Sequence, residues 1–277
     1  MVQVHPSPLT GIDHTLIGVR DLEAARGTWR RLGFTVTPRG RHIGWGTGNY
    51  CVMFRDDYVE LLGIVDPAQF LNRLDVLLET RGEGFLGLAF AAASSADVHA
   101  AFPDATQPPK DLGRLLELPE GDVTPRFSLV HFNPDATPGL AAFSCTHLTP
   151  EMLRRPEWLD HPNGALGLDG VTVAAADPVA LAPAYALLFG SSALQSGQGR
   201  LEVRTGTHTL RFLSPDRLSR RYPGLGGAPV MTVVSRDLEA TRTFFVGNGV
   251  PMASAAGARL VIPPDQANGT VLEFVEG

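Results

Sequence analysis

The sequence predicts an α+β protein built from four copies of a βαβββ unit, and three observations predict it. The pentapeptide Arg-Asp-Leu-Glu-Ala occurs at 20–24 and again at 236–240, each time after a strand-like run and before apolar residues at helical spacing. Two further stretches follow the same order without the pentapeptide. In one, Leu168-Asp169-Gly170-Val171-Thr172-Val173 leads to Asp177 and then Leu181, Tyr185, Leu188 and Phe189; in the other, Leu88-Ala89-Phe90 leads to Ser94-Ser95-Ala96-Asp97. The spacing also holds to the end of the unit: Glu60 follows Arg20 by 40 residues and Glu273 follows Arg236 by 37, each acid set in an apolar strand-like run.

In the first unit, residues 11–18 alternate as a strand, and Asp21 is placed to cap a helix whose inner stripe is Leu22, Ala25, Trp29 and Leu32. Gly33 stops that helix. Three strand-like runs follow, near Thr35–Thr37, Cys51–Phe54 and Tyr58–Ile64, divided by the turns Arg39-Gly40 and Gly46-Thr47-Gly48-Asn49. Residues 66–84 carry Phe70, Leu71, Leu74, Leu77 and Leu78 at amphipathic spacing, which predicts a surface-packed connecting helix. The second unit runs from Phe85 to a last strand at about Leu140 to Leu148. Residues 149–166 are punctuated by proline and mark the boundary between pairs of units. The expected organisation is therefore 1–148, a connector at 149–166, and 167–277, with 215–227 joining the last two units and Asp237 capping the last helix.

A chain of 277 residues with 44% hydrophobic and 19% charged residues can bury a sizeable core. A formal net charge of −6 gives no footprint for nucleic acid, and the isolated pairs Arg30-Arg31, Arg154-Arg155 and Arg220-Arg221 read as solvated surface. The opening residues have neither the basic nor the apolar region of a signal peptide, and no run of 18 apolar residues suggests a membrane span. Cys51 and Cys145, both in apolar runs, read as buried free thiols of a reducing compartment, so a cytoplasmic protein is expected.

The repeat, with Asp13-His14, His42-Ile43-Gly44-Trp45-Gly46-Thr47-Gly48-Asn49, Tyr58-Val59-Glu60-Leu61, His147-Leu148-Thr149-Pro150-Glu151 and His161-Pro162-Asn163-Gly164, resembles the vicinal oxygen chelate superfamily and within it the glyoxalase-like domain group. That resemblance implies four modules forming two paired half-open barrels. It also implies a divalent transition metal (Zn, Ni, Fe or Mn) held inside one barrel by residues of the first and fourth strands of a unit. His14 and Glu60 fall at those positions. Period-two geometry sets His14 on a face with Leu16 and Gly18, and Glu60 with Leu62, where a carboxylate without a cation would be costly. For the third ligand, unit two offers only Leu86 or Gly87 where His14 would recur. Its last strand puts Phe143, Cys145 and His147 on one face, so His147 is expected, with Cys145 as the alternative. If unit one paired instead with unit four, Glu273 would take that place.

His42, beside the glycine-rich turn, and His131, in Phe127-Ser128-Leu129-Val130-His131-Phe132, are the candidate catalytic residues, since imidazole moves protons near neutral pH. His161-Pro162-Asn163 reads as a turn. Gly44, Gly46 and Gly48 precede no capped helix and do not make a phosphate loop. In the second half Gly170 and Val230 stand where His14 would recur, and Leu210 or Arg211 where Glu60 would. Only Glu273 is retained, which reads as a structural pair.

The function expected is that of a metal-dependent isomerase or lyase acting on a small substrate with adjacent oxygens. An extradiol-type dioxygenase and a drug-sequestering binding protein are the alternatives. The expected partners are a small-molecule substrate and, through a free sheet edge, a second copy of the chain.

Overall fold

The computed structural model describes residues 7–277. The opening residues, read above for a signal peptide, lie outside them. Unit one comprises β1 (Leu9–Gly18), α1 (Leu22–Arg31), β2 (Gly40–His42), β3 (Thr47–Met53) and β4 (Tyr58–Ile64). Asp21 caps α1, its Oδ1 accepting from the backbone N–H of Glu23 and Ala24 at 2.9 and 3.0 Å, and the helix buries Leu22, Ala25 and Trp29. The strand expected at Thr35–Thr37 forms later, as β2. The connector claims the earlier backbone: Thr35 N–H donates to His161 Nδ1 (3.0 Å) and Thr35 Oγ1 donates to the carbonyl of Asp160 (2.6 Å). His161 is thereby a turn builder, its Nε2 reaching the carbonyl of Met53 at 3.0 Å.

The connecting helix α2 (Leu74–Arg81) leads to unit two: β5 (Gly84–Ala92), α3 (Ser95–Ala101), β6 (Lys110–Leu116), β7 (Arg126–His131) and β8 (Ala142–His147). Unit three has β9 (Ala165–Ala174), α4 (Ala182–Phe189), β10 (Leu194–Gly197), β11 (Arg200–Thr205) and β12 (His208–Leu213). After α5 (Pro215–Arg221), unit four has β13 (Val230–Ser235), α6 (Leu238–Gly247), β14 (Arg259–Ile262) and β15 (Val271–Glu276). Its second strand is reduced to a single bridge between Ala253 and Val261.

Units one and two form a closed eight-stranded barrel in the order β1-β4-β3-β2-β6-β7-β8-β5, sealed where β1 meets β5 and β2 meets β6, both antiparallel. Units three and four repeat the first seam, β9 against β13. They lack the second, and so leave an open seven-stranded sheet, β10-β11-β12-β9-β13-β15-β14.

One apolar core runs between barrel, helices and rear sheet, joining Ile17, Leu61 and Phe90 to Val171, Leu201 and Phe274. A second fills one end of the barrel interior, where Leu153 and Trp158 of the connector pack with Met53, Leu116 and Leu118. The two halves are also pinned by a buried polar link. His208 Nδ1 accepts from Ile12 N–H at 3.0 Å, which leaves Nε2 to donate to Asp57 at 3.1 Å. Among the described residues no helix is long and apolar enough to cross a membrane.

Candidate metal centre

The open end of the barrel is a cavity of about 240 Å³. Alternation along the strands decides what faces it: Tyr58, Glu60 and Leu62 from β4, Leu112 and Arg114 from β6, Phe127, Leu129 and His131 from β7, Phe143 and Cys145 from β8. Leu71, Leu74 and Leu77 of the connector roof it, so the amphipathic stretch read as surface-packed covers the site.

Three side chains converge on the cavity. His14 Nε2 lies 3.5 Å from Glu60 Oε2, and His42 Nε2 lies 3.7 Å from Glu60 Oε1. Both imidazoles are held from behind. His14 Nδ1 bonds to Asp13 Oδ1 at 2.6 Å, and His42 Nδ1 meets Thr47 Oγ1 at 2.9 Å. An ionised Asp13 only accepts, so His14 carries its proton on Nδ1 and turns the Nε2 lone pair toward Glu60. Asn49 Nδ2 donates to Glu60 Oε1, and Tyr58 stacks on His14 with ring centroids 4.4 Å apart.

Asp13 reaches the interior through an irregularity. Between Ile12 and His14, β1 spends two residues where β5 spends one, so Asp13 is the extra residue of a β-bulge and shares the inward side with His14. It is 5% exposed. Burial alone would push its carboxyl up, but its bonds and charges with His14 and His147 outweigh that and hold it well below the usual carboxylate range. Glu60 behaves alike: burial opposes ionisation, while His42, His14, Arg114 and the Asn49 bond lower its pKa overall. Burial pushes the His42 imidazole down, with Arg114 and His14 adding to it against Glu60, which favours its neutral form.

His147 does not join this group. Its Nε2 bonds to Asp13, 2.9 Å from Oδ2 and 3.1 Å from Oδ1, which places it behind His14 and away from Glu60. The second imidazole facing Glu60 is that of His42, whereas His147, the expected third ligand, sits with Asp13 and Cys145. The reason is the bulge, which interposes a carboxylate between the two imidazoles. Asp13, Cys145 and His147 do form a buried cluster, with one donor atom of each within 4.8 Å of the others. The cysteines are free, as expected.

His131 lines the same cavity, 5.5 Å in ring centroids from Phe143, which in turn stands 5.5 Å from His14. Burial and the charge of Lys110 lower its pKa. The mates that unit two supplies for His14 and Glu60 are Gly87, opposite Leu16, and Phe143, opposite Ala89. A Cβ at Gly87 would meet the carbonyl oxygen of Ala141 at 2.2 Å, so no ligand side chain fits there.

Two Nε2 lone pairs flank one carboxylate in a buried cup, each imidazole oriented by a second polar group, a donor set whose chemistry fits a divalent metal although its atoms are not drawn together as closely as those of Asp13, Cys145 and His147. Residue-by-residue reading overlooked Asp13 as a buried group, along with Thr47 and Arg114. The signal for Arg114 was in the alternation Leu112, Arg114, Leu116, a lone cation on an apolar face.

Residues 12–189 match a family described as glyoxalase-like domain. No curated protein matches the chain by sequence. Among solved structures, a hypothetical protein from Staphylococcus aureus superposes with a TM-score of 0.65 at 11% identity, over 96% of this chain and 98% of that one. A mutant of 4-hydroxymandelate synthase from Streptomyces coelicolor gives 0.60 at 12% identity, over 97% and 93%. A xylose isomerase-like TIM barrel/4-hydroxyphenylpyruvate dioxygenase fusion protein gives 0.56 at 12%, over 98% of this chain and 50% of that one. At these identities the likeness is one of fold.

Proposed function

The chain belongs to the glyoxalase-like domain family, and from that premise we propose that it is a metal-dependent isomerase or lyase acting on a small substrate with two adjacent oxygens. The observation that carries this reading is the pair of Nε2 atoms, His14 and His42, set on either side of the Glu60 carboxylate with both Nδ1 atoms tied back. A divalent metal held by His14, His42 and Glu60 would supply Lewis acidity toward the two substrate oxygens.

The rest of the chemistry falls to the chain itself. In the strand order β7 stands opposite β4, so His131 faces the cavity across from Glu60. With its pKa lowered, its imidazole is free at neutral pH to take a proton from the carbon beside a substrate carbonyl and return it to the neighbouring atom. Leu71, Leu74 and Leu77 give that transfer an apolar roof.

The test is solvent exchange. Protein loaded with Zn(II), Ni(II) or Mn(II) is incubated in D₂O with 1,2-diones and 2-oxo acids, and deuterium at the carbon next to the carbonyl is followed by NMR. Metal-dependent exchange that is lost in His131→Ala while bound metal is retained supports the proposal. A second reading follows from the donor set, because two histidines and one carboxylate with open positions also suit Fe(II) oxygen chemistry. Oxygen uptake by the Fe(II)-loaded protein with catechols, without deuterium exchange, would favour it.

A further inference from the structure

We infer that the substrate is an anion, a small carboxylic acid with an apolar body whose carboxylate is received by Arg114. The placement of its adjacent oxygens and the charge balance of the cup rest on the metal centre proposed above; the unpartnered guanidinium of Arg114 does not.

Arg114 is 4% exposed, yet no carboxylate oxygen among the described residues comes within salt-bridge distance of its guanidinium. Among the described residues its one side-chain hydrogen bond is from Nη1 to Cys51 Sγ at 3.2 Å, and its buried Nε has no partner. Cys51 is no counter-ion, because burial pushes its thiol up to about 11. Phe127 presents its ring to the guanidinium at 5.5 Å, which offsets only part of the desolvation. A buried charge without a partner is costly, and such groups persist where a ligand completes them.

The place for this side chain is built. A Cβ at Gly40 would meet Arg114 Cδ at 2.8 Å and Asn49 Oδ1 at 2.2 Å, so the glycine in β2 admits both. In the strand order β6 stands opposite β1, so Arg114 faces His14 across the cavity.

Charge gives the sign of the ligand. Glu60 and Asp13 are the ionised carboxylates of the cup and Arg114 its buried cation, so a dication on His14, His42 and Glu60 would leave one excess positive charge. An anion restores the balance. The remaining wall, Leu16, Leu62, Leu112, Leu129 and Phe143, is apolar and suits a hydrocarbon tail.

The experiment compares 2-oxohexanoate with 2,3-heptanedione, its neutral isostere, by calorimetric titration of the full chain with and without Mn(II). The wild type should bind the acid at least about ten-fold more tightly than the dione, the size expected of a charge-assisted bond. Arg114→Met should erase that preference and leave the affinity for the dione unchanged. Arg114→Lys should keep a reduced preference. If Arg114→Met does not fold, Arg114→Gln carries the same comparison. No preference in the wild type, or a preference that survives in Arg114→Met or Arg114→Gln, overturns the inference. Glu60→Gln separates the two proposals: Mn(II) binding that survives it refutes the metal centre, whereas the preference for the acid stands or falls with Arg114.

Discussion

Glu273 holds in β15 the place that Glu60 holds in β4, and the two carboxylates have opposite company. Glu60 pairs in register with Leu16 and Cys51, and Glu273 with Thr232 and Val261. Glu60 faces two imidazoles. Glu273 instead accepts from Arg259 Nη1 at 2.9 Å, Arg221 Nη2 at 3.1 Å, Tyr222 at 3.0 Å and Thr232 at 3.1 Å. Arg259 stands opposite Val275 as Asn49 stands opposite Leu62, so a guanidinium replaces the amide beside the acid. The rear unit satisfies its carboxylate from within.

Removing that carboxylate should therefore harm the fold and spare the site. Glu273→Gln leaves Arg259 largely buried without its counter-charge, and urea unfolding should show a loss of about 3 kcal/mol. Bound metal, measured by elemental analysis, should not change.

Asp13→Asn should do the reverse. The amide is neutral and has an N–H₂ donor where the carboxylate has its second acceptor oxygen, so the charge-assisted hold on His14 and His147 is lost and the tautomer of His14 is fixed less firmly. Metal affinity should fall by about 10- to 100-fold with Glu60 and His42 intact, the usual effect of losing a group that orients a ligand. A titration with Zn(II) or Mn(II) against a competing chelator reads it directly.

The capping residues make the repeat itself testable. Asp237 Oδ1 accepts from Glu239 and Ala240 N–H at 2.9 Å each, as Asp21 does in α1. Asp21→Ala and Asp237→Ala should each cost about 1 kcal/mol in denaturant unfolding, and the double variant about the sum, because the two helices lie in different units.

Stability should also depend on His161. Burial lowers its folded-state pKa from 6.5 to about 4, so below about pH 6.5 the unfolded chain takes up a proton that the folded chain refuses. Stability is then lost as the pH falls from about 6.5 to about 4, by about 3 kcal/mol over the window. Unfolding of the wild type and of His161→Gln across that range should show a shallower slope in the variant.

Much of this was legible in the sequence because it depends on local period. The caps at Asp21 and Asp237 and the inward alternation of Glu60 and Leu62 follow from residue spacing alone. What alternation cannot show is a bulge, and the one at Asp13 sets that carboxylate behind His14, between it and His147. His42 was legible as a candidate catalytic imidazole beside a turn. Its place beside Glu60 depends on β2 pairing with β6, a contact between units that closes the barrel. Thr35–Thr37 reads as strand by composition, yet Asp160 and His161, far along the chain, take its hydrogen bonds.

The identity of the third donor decides where the metal sits. Metal binding to the full chain is measured by titration with Mn(II) or Zn(II) for the wild type, His42→Ala and His147→Ala, with folding checked by thermal unfolding. His42→Ala should abolish tight binding, as loss of a ligand does, while His147→Ala should keep the metal with affinity reduced about 10- to 100-fold. Metal retained in His42→Ala and lost in His147→Ala would contradict the account and move the centre to Asp13, Cys145 and His147.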